Sequence, residues 1–293
     1  MSNKKGLILV NAYSTLDTGL NQSTRLQEEF LKGGVACDIV KNGEFCTLIE
    51  QNKIISKYLD YDFCIYLDKD KYVSEMLEKK GLKLFNSHNA IRVCDDKMRT
   101  YIALSENKIN VVDTIPGALC YTEDAKIDEQ KIKEIGEKLG YPVIVKQNYG
   151  SLGQGVFKAD NFEELLILEN KVKMVPHLFQ KMVKTSVGKD IRVIVIGGKV
   201  FASMLRTTNV DFRSNIELGG KGESIEIDQK TIDLCEKTAK ILGLDYCGID
   251  VLIGENNTPI ICEVNSNAFF GGIEKVTQKN VAKRYVEHVL QNI

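Results

Sequence analysis

Two carboxylates and an amide, Asp250, Glu263 and Asn265, lie in a pair of apolar runs separated by the turn-forming residues Glu255 to Thr258. Ile249, Val251 and Ile253 alternate with Gly248, Asp250 and Leu252. After the turn, Ile260, Cys262 and Val264 alternate with Ile261, Glu263 and Asn265, so both runs have the period of two expected of a β-hairpin. A four-residue loop would set Gly254 against Pro259 and, counting back, Asp250 against Glu263. Directly opposed residues share a face with Cβ atoms roughly 5 Å apart, and Asn265 lies on that face two residues further on. The opposite face, with Cys262 on it, reads as the core side. Converging oxygen donors of this kind suit Mg²⁺, which takes a few protein oxygens and leaves the rest of its shell to phosphate and water. The competing reading is a solvated hairpin face carrying ordinary acids.

Upstream there are further groups suited to anions. Lys97 follows Asp95 and Asp96, which read as capping residues of a helix, and a cation in a first helical turn opposes the helix dipole unless an anion uses it. The strand Pro142 to Lys146 runs into a loop with Gly150, Ser151, Gly153 and Gly155 and out again at Val156. Glycines so spaced allow backbone N–H groups to wrap a phosphate. Neither a Gly-Lys-Ser/Thr nor an immediate helix follows, so the loop is neither a Walker loop nor a Rossmann turn. It reads as a flap between strands, with Lys146 at its base. Further on, Asp190 and Arg192 precede a Gly197-Gly198 turn and Arg206 follows it. A strict two-residue loop puts Arg192 and Arg206 on opposite faces, whereas a three-residue loop pairs Asp190 with Arg206 and brings all three to one face. Arg213 and Asn215 lie in the next loop. Arginines near a carboxylate hairpin suit anion clamping; solvated surface charge is the alternative.

The elements that must position these groups are those of an α/β protein. The 293 residues, with 43% hydrophobic and 27% charged, suffice for two or three packed units. The net charge of −1 creates no bulk field for nucleic acid or an anionic membrane, and no run approaches the ~20 apolar residues of a membrane span. Eight cysteines without a Cys-x-x-Cys pair read as free thiols in a reducing, cytoplasmic setting, and three widely separated histidines offer neither a zinc site nor a triad. Residues 1–86 alternate strands (Gly6 to Asn11, Val35 to Val40, Asp62 to Leu67, Leu82 to Phe85) with helices, the signature of an open parallel sheet. No dinucleotide fingerprint accompanies them, so substrate contacts are the expected contribution of this unit.

Taken in order, CDDK at 94–97, VIVKQNYGSLGQGV at 143–156, QKMV at 180–183, GKDIRVIVIGGKV at 188–200, FRSN at 212–215, GIDVL at 248–252, EVN at 263–265 and GIE at 272–274 resemble the ATP-grasp superfamily, and within it the RimK-like carboxylate–amine ligases. The resemblance covers about residues 86–293. It implies a two-lobed ATP-grasp fold after the N-terminal α/β domain, with a central lobe at 87–179 and a C-terminal lobe at 180–293. It further implies that Lys97 and Lys146 contact nucleotide phosphates under the Gly150 to Gly155 flap, that Gln180, Lys181, Met182 and Val183 form the adenine hinge, and that Asp190 lies near the ribose. Arg192, Arg206, Arg213 and Asn215 would hold the carboxylate and the γ-phosphate. Asp250, Glu263 and Asn265 would bind two Mg²⁺ ions, with Mn²⁺ as a substitute and Glu263 bridging.

The implied activity is an ATP-dependent amide ligation through an acyl phosphate, adding glutamate or a similar amino acid to a small-molecule, peptide or protein carboxylate, possible in a homo-oligomer. A dipeptide-forming ligase, a phosphotransferase and a non-catalytic ATP-binding module are the rival expectations. Three departures stand out. Asn267-Ala268-Phe269-Phe270 stands where the family has Ser-Pro-Gly, and its apolar pair is expected at the acceptor site. Lys181 replaces an acidic hinge residue, with little effect expected. The run Asn110 to Thr114 has no reading from the sequence.

Overall fold

A strand that is apolar at nearly every position must be covered on both faces, and β1 (Lys5–Val10) accordingly lies inside a parallel sheet. The computed structural model describes residues 4–15, 19–43, 47–151, 153–214 and 220–293. After α1 (Asn21–Lys32) and β2 (Ala36–Lys41), a small antiparallel hairpin, β3 (Thr47–Glu50) and β4 (Lys53–Ser56), stands apart from that sheet. Then β5 (Phe63–Leu67), α2 (Lys71–Lys79) and β6 (Lys83–Phe85) complete the order β2-β1-β5-β6, all parallel. The chain leaves β1 for β2 on one side and returns to β5 on the other. The carboxyl ends of β1 and β5 therefore face a topological switch point, the place where open sheets of this kind bind ligands.

Two helices follow, α3 (His88–Asp95) and α4 (Lys97–Glu106), and then β7 (Thr114–Pro116), α5 (Glu129–Leu139), β8 (Val143–Gln147), β9 (Val156–Ala159), α6 (Phe162–Val172) and β10 (His177–Lys181). The strands form an antiparallel sheet in the order β7-β10-β8-β9. Ile132 and Leu165 of its helices pack on Val143, Val145 and Phe179.

The third sheet comes from β11 (Lys189–Ile196), β12 (Lys199–Thr207), β13 (Lys221–Ser224), β14 (Tyr246–Ile253) and β15 (Pro259–Asn265), in the order β13-β12-β11-β14-β15. The helix α7 (Gln229–Leu242) precedes β14, and α8 (Gly271–Thr277) and α9 (Val281–Gln291) end the chain. One face of this sheet (Val193, Ile249, Val251, Ile261) packs on Cys235 of α7 and, across the chain, on Ala90, Cys94 and Leu104 of α3 and α4. The other face is divided. Ile194, Ile196, Met204 and Tyr246 join Phe30, Phe63, Phe85 and Tyr285 in a core shared with the N-terminal sheet, while the polar ends of the same strands are left to form a site. Among the described residues no helix is long and apolar enough to cross a membrane.

Both hairpins of this sheet carry a β-bulge, and the bulges decide which side chains meet. At Gly197-Gly198 the turn is the two-residue type, pairing Ile196 with Lys199 and Val195 with Val200. The register then shifts, so that Ile194 faces Ala202 and Asp190 faces Arg206. One extra residue in β12 thus produces the alignment that a three-residue loop would have given. In the second hairpin Ile253, not Gly254, faces Pro259, and Val251 faces Ile261. A shift next to Asp250 then restores its pairing with Glu263. The expected carboxylate pair forms by another route, and Cys262 is the extra residue. It turns toward the polar cleft and not, as the alternation indicated, toward the core, where Ile261 takes its place.

Candidate active site

A cleft with about 120 Å³ of water-accessible space runs between the middle and third sheets. Lys97, Lys146, Gly150, Ser151, Gly153, Gln180, Lys181, Met182, Val183, Asp190, Arg213, Asp250 and Glu263 all line it. Arg192 and Asn265 line an adjoining cleft, and Glu263 and Ser151 border both. Gly155 lies behind the loop, where a side chain would strike Gln147, and Arg206 stands beneath the cleft floor, bonded to two of its aspartates. Asn215 falls outside the described residues.

The middle sheet and α4 supply the cations. Asp96 caps α4 by accepting from the N–H groups of Met98 and Arg99, which makes Lys97 the first helical residue. Asp95 ends α3 and takes no part in the cap. The buried Lys97 ammonium donates to the Gly150 carbonyl at 3.2 Å and lies 3.5 Å from Glu263 Oε1. Lys146, on β8, is only 8% exposed, and its Nζ lies 3.7 Å from Cys262 Sγ. Burial acts to lower the Lys146 pKa, but Cys262, Tyr101 and Glu263 outweigh it and hold it above the ordinary value. Burial pushes the Cys262 thiol up and the Tyr101 phenol to about 12, so both are neutral at pH 7. Glu263 is then the anion that Lys146 senses, yet among the described residues Lys146 forms no ion pair. A buried ammonium in that state calls for an anionic ligand.

The flap between β8 and β9 turns through positive φ at Gly150, Gly153 and Gly155. It is held at its base by Asp96, whose carboxylate accepts from Asn148 Nδ2 at 3.1 Å and from the Tyr149 hydroxyl at 3.0 Å. Arg213 Nη1 donates to the Gly153 carbonyl at 2.7 Å from the opposite side. At the hinge, buried Gln180 donates to Thr114 Oγ1 and the Lys181 N–H to the Asp113 carbonyl, while the exposed Lys181 ammonium lies 3.8 Å from Asp113 Oδ2. The run Asn110 to Thr114 now has a reading as well. The Ile261 N–H donates to Asn110, Val111 bridges Ile261 in parallel, and Val112 lines the cleft, so the run straps the hinge to the edge of β15.

The third sheet supplies a row of alternating charge. Arg192 pairs with Asp250 across β11 and β14, and Asp190 with Arg206 across β11 and β12. Arg206 donates to both oxygens of Asp190, at 2.7 and 2.6 Å, and reaches Asp250 Oδ1 at 2.9 Å. Arg192 donates through Nε to Asp250 Oδ1 and through Nη2 to Oδ2. Burial acts to raise the Asp250 pKa, but the two guanidinium groups prevail and hold the carboxyl below its usual range. Asp190 is shifted upward, by burial first and then by the Asp250 charge. Gly248 makes room for this row, since a Cβ there would lie 2.5 Å from Ala268 and 3.4 Å from Arg192.

Comparison with known proteins places this arrangement. Residues 94–289 match the profile of the RimK-like ATP-grasp domain. The chain belongs to the RimK-like ATP-grasp family. Human N-acetylaspartylglutamate synthase A is 37% identical over 216 residues, covering 73% of this chain and 54% of that protein, so the chain spans about half of its length. A probable alpha-L-glutamate ligase from Maridesulfovibrio salexigens is 34% identical over 224 residues, covering 75% of this chain and 71% of that one. The D-alanine–D-alanine ligase of Bacillus anthracis, in complex with ATP, superposes with a TM-score of 0.75 over 98% of this chain and 96% of its own, at 20% identity, a likeness of fold.

The residues of this RimK-like ATP-grasp chain fit a magnesium nucleotide. Glu263 and Asn265 offer hard oxygens at the junction of the two clefts. Asp250 accepts three N–H bonds, which leaves about one lone-pair site of four. Among the described residues no three His, Cys, Asp or Glu side chains converge, so a metal here would complete its shell with phosphate and water oxygens. The run from Asn267 to Phe270 is divided in its roles. Phe270 is core, set edge-on to Tyr246, while Phe269 is 41% exposed and lines the adjoining cleft. The expectation of an apolar pair at that cleft is therefore corrected to a single phenylalanine among Asn11, Ser14, Lys69, Asn265 and Asn267. Sequence reasoning took Asp96 only as a cap and missed its hold on the flap, and it missed Tyr101, whose hydroxyl donates to the Cys262 carbonyl and which belongs to no recognisable spacing.

The state of Lys146 makes a prediction. Lys146→Met should weaken AMP-PNP binding by about a hundredfold, measured by calorimetry, because the cation is desolvated and placed for phosphate. The same change should lower thermal stability modestly, since a raised Lys146 pKa means that the folded chain favours the ammonium more than the unfolded chain does.

Proposed function

We propose that this chain is an ATP- and Mg²⁺-dependent ligase that joins a carboxylate of a small polar acid to the amine of glutamate or a closely similar amino acid, releasing ADP and phosphate. The observation that carries this reading is the shared border of the two clefts. A cleft lined by Lys97, Lys146 and the glycine flap meets a polar cleft at Glu263 and Ser151, so a phosphoryl group held by the first is presented to an acid held by the second. The relatives named above are an N-acetylaspartylglutamate synthase and a probable alpha-L-glutamate ligase, which supports the choice of amine.

In this reading residues 1–86 supply acceptor contacts, and the lobes at 87–179 and 180–293 close on the nucleotide. The backbone of Gln180 to Val183 borders adenine, Asp190 the ribose side, and Lys97 and Lys146 neutralise the phosphates from two directions. Arg213, which already touches the flap, follows the transferring group. The acceptor carboxylate oxygen takes the γ-phosphoryl group from ATP, and ADP leaves. The amine then attacks the acyl carbon, the C–O bond to phosphate breaks, and the amine loses a proton to the medium. Arg192, which lines the adjoining cleft, would stabilise the tetrahedral oxyanion formed in that attack. Asp250, Glu263 and Asn265 would hold two Mg²⁺ ions, which supply charge neutralisation for phosphoryl transfer. The seven described cysteines are free thiols, which suits a reducing cytoplasm.

The test is a phosphate-release screen over paired acids and amino acids, with mass spectrometry of each hit. A product heavier than the acid by one amino-acid residue, formed only with ATP, supports the ligase. Phosphorylated acid accumulating equally without an amine, with no phosphate released, would replace it with a phosphotransferase.

A further inference from the structure

The N-terminal sheet grips the flap through two lysines that no phosphate-binding pattern includes. Lys69 Nζ donates to Ser151 Oγ at 3.1 Å and pairs with Asp95 Oδ1 at 3.2 Å. Lys71 Nζ lies 4.1 Å from the centroid of the Tyr149 ring. Both lysines follow the carboxyl end of β5, at the switch point of the parallel sheet, while Ser151 and Tyr149 belong to the loop between β8 and β9.

Lys69 is held firmly at its root. Its backbone N–H donates to Asp68 Oδ1 at 2.7 Å, and buried Asp68 accepts from Asn11 Nδ2 at 3.0 Å and Asn42 Nδ2 at 2.9 Å. Asn42 also reaches Asp70 Oδ2 at 3.1 Å, and Asp70 caps α2, whose first residue is Lys71. An ammonium carries three protons. Among the described residues two of those on Lys69 are directed at Asp95 and Ser151, which leaves one for the acceptor cleft that Lys69 and Ser151 line together.

We propose that Lys69 is a positioning residue for the ligation: it fastens the phosphate flap to the N-terminal sheet at the edge of the acceptor cleft, so that closure over the nucleotide and enclosure of the acceptor are one event. The proposal rests on the reading of the two clefts given above. Glycines at three positive-φ positions give the loop little intrinsic preference for one conformation, and a charge-assisted hydrogen bond is among the strongest single restraints available to it. A flap that closed on nucleotide alone would leave the acyl phosphate open to water from the acceptor side. Tying the flap to the sheet that borders the acceptor removes that opening.

Hydrogen exchange on the whole chain tests this, comparing the unaltered protein with Lys69→Met and Lys69→Arg, each free and with Mg²⁺ and AMP-PNP. The peptide from Tyr149 to Gly155 should exchange about tenfold faster in Lys69→Met, in both states, for the loss of one charge-assisted bond. Lys69→Arg should keep most of the protection, and β1 amides and Tm should be unchanged. Slowing of the amides of Lys181 to Val183 by AMP-PNP reports the nucleotide reading separately. If that slowing is absent the nucleotide reading fails, and the comparison of nucleotide-free proteins still decides the role of Lys69. Unchanged flap exchange in Lys69→Met, or an acceleration spread equally through β1, would overturn the proposal.

Discussion

Glu263→Ala should reduce ligase turnover by about a thousandfold or more, measured as phosphate release with any acid and amine pair that the unaltered protein accepts. Among the described residues Glu263 is the one carboxylate that borders both clefts, so in the proposed reaction it would stand where charge moves from nucleotide to acceptor. Loss of about 4 kcal/mol of charge stabilisation corresponds to that factor in rate. Stability should change little, because Glu263 is partly exposed and its ion partner Lys97 keeps the Gly150 carbonyl. Chelation of divalent cations should cause a loss of similar size in the unaltered protein and little further loss in the variant. Turnover within tenfold of normal in Glu263→Ala would sink the metal assignment.

The largest effect on stability is expected from Arg206→Met. Arg206 is 4% exposed and lies between Asp190 and Asp250. Its removal leaves two buried carboxylates facing each other with Arg192 as their remaining cation, and breaking a buried ion cluster from one side costs about 3–5 kcal/mol. Denaturant unfolding at pH 7 should show a loss of that size. The pH dependence gives a second check. The Asp190 pKa is already raised, by burial and by the Asp250 charge, and without Arg206 it should rise further. A carboxyl whose folded pKa lies above its unfolded value destabilises the fold above that pKa, and the penalty is relieved as pH falls through it. The deficit of the variant relative to the unaltered protein should therefore shrink on acidification from pH 7 toward pH 5. A deficit under 1 kcal/mol at pH 7, or one that grows on acidification, would contradict this account.

The chemistry of the candidate residues was legible in the sequence because strong local signatures surround them: a helix cap precedes Lys97, glycines shape the flap, and Arg192 and Arg206 flank a Gly-Gly turn. The apolar run of β1, the glycines of the flap, the cap before Lys97 and the Gly197-Gly198 turn all report local backbone preferences, and those preferences survived folding. Alternation in β14 likewise placed Asp250 and Ile249 on opposite faces correctly. In β15 it misplaced Cys262, since Pro259, Ile260, Ile261 and Cys262 are all apolar and either register buries an apolar face.

Only the tertiary structure chose. Packing of Val251 and Ile261 against α3, α4 and α7 set one register, and a bulge restored the other for Glu263. A second bulge in β12 brought Asp190, Arg192 and Arg206 to one face from a turn that by itself would have separated Arg192 from Arg206. The clasp of Lys69 on Ser151 joins residues 82 apart in the chain. Local propensity determined which residues could do chemistry in this RimK-like ATP-grasp chain. Long-range packing, which no periodicity encodes, decided which of them meet.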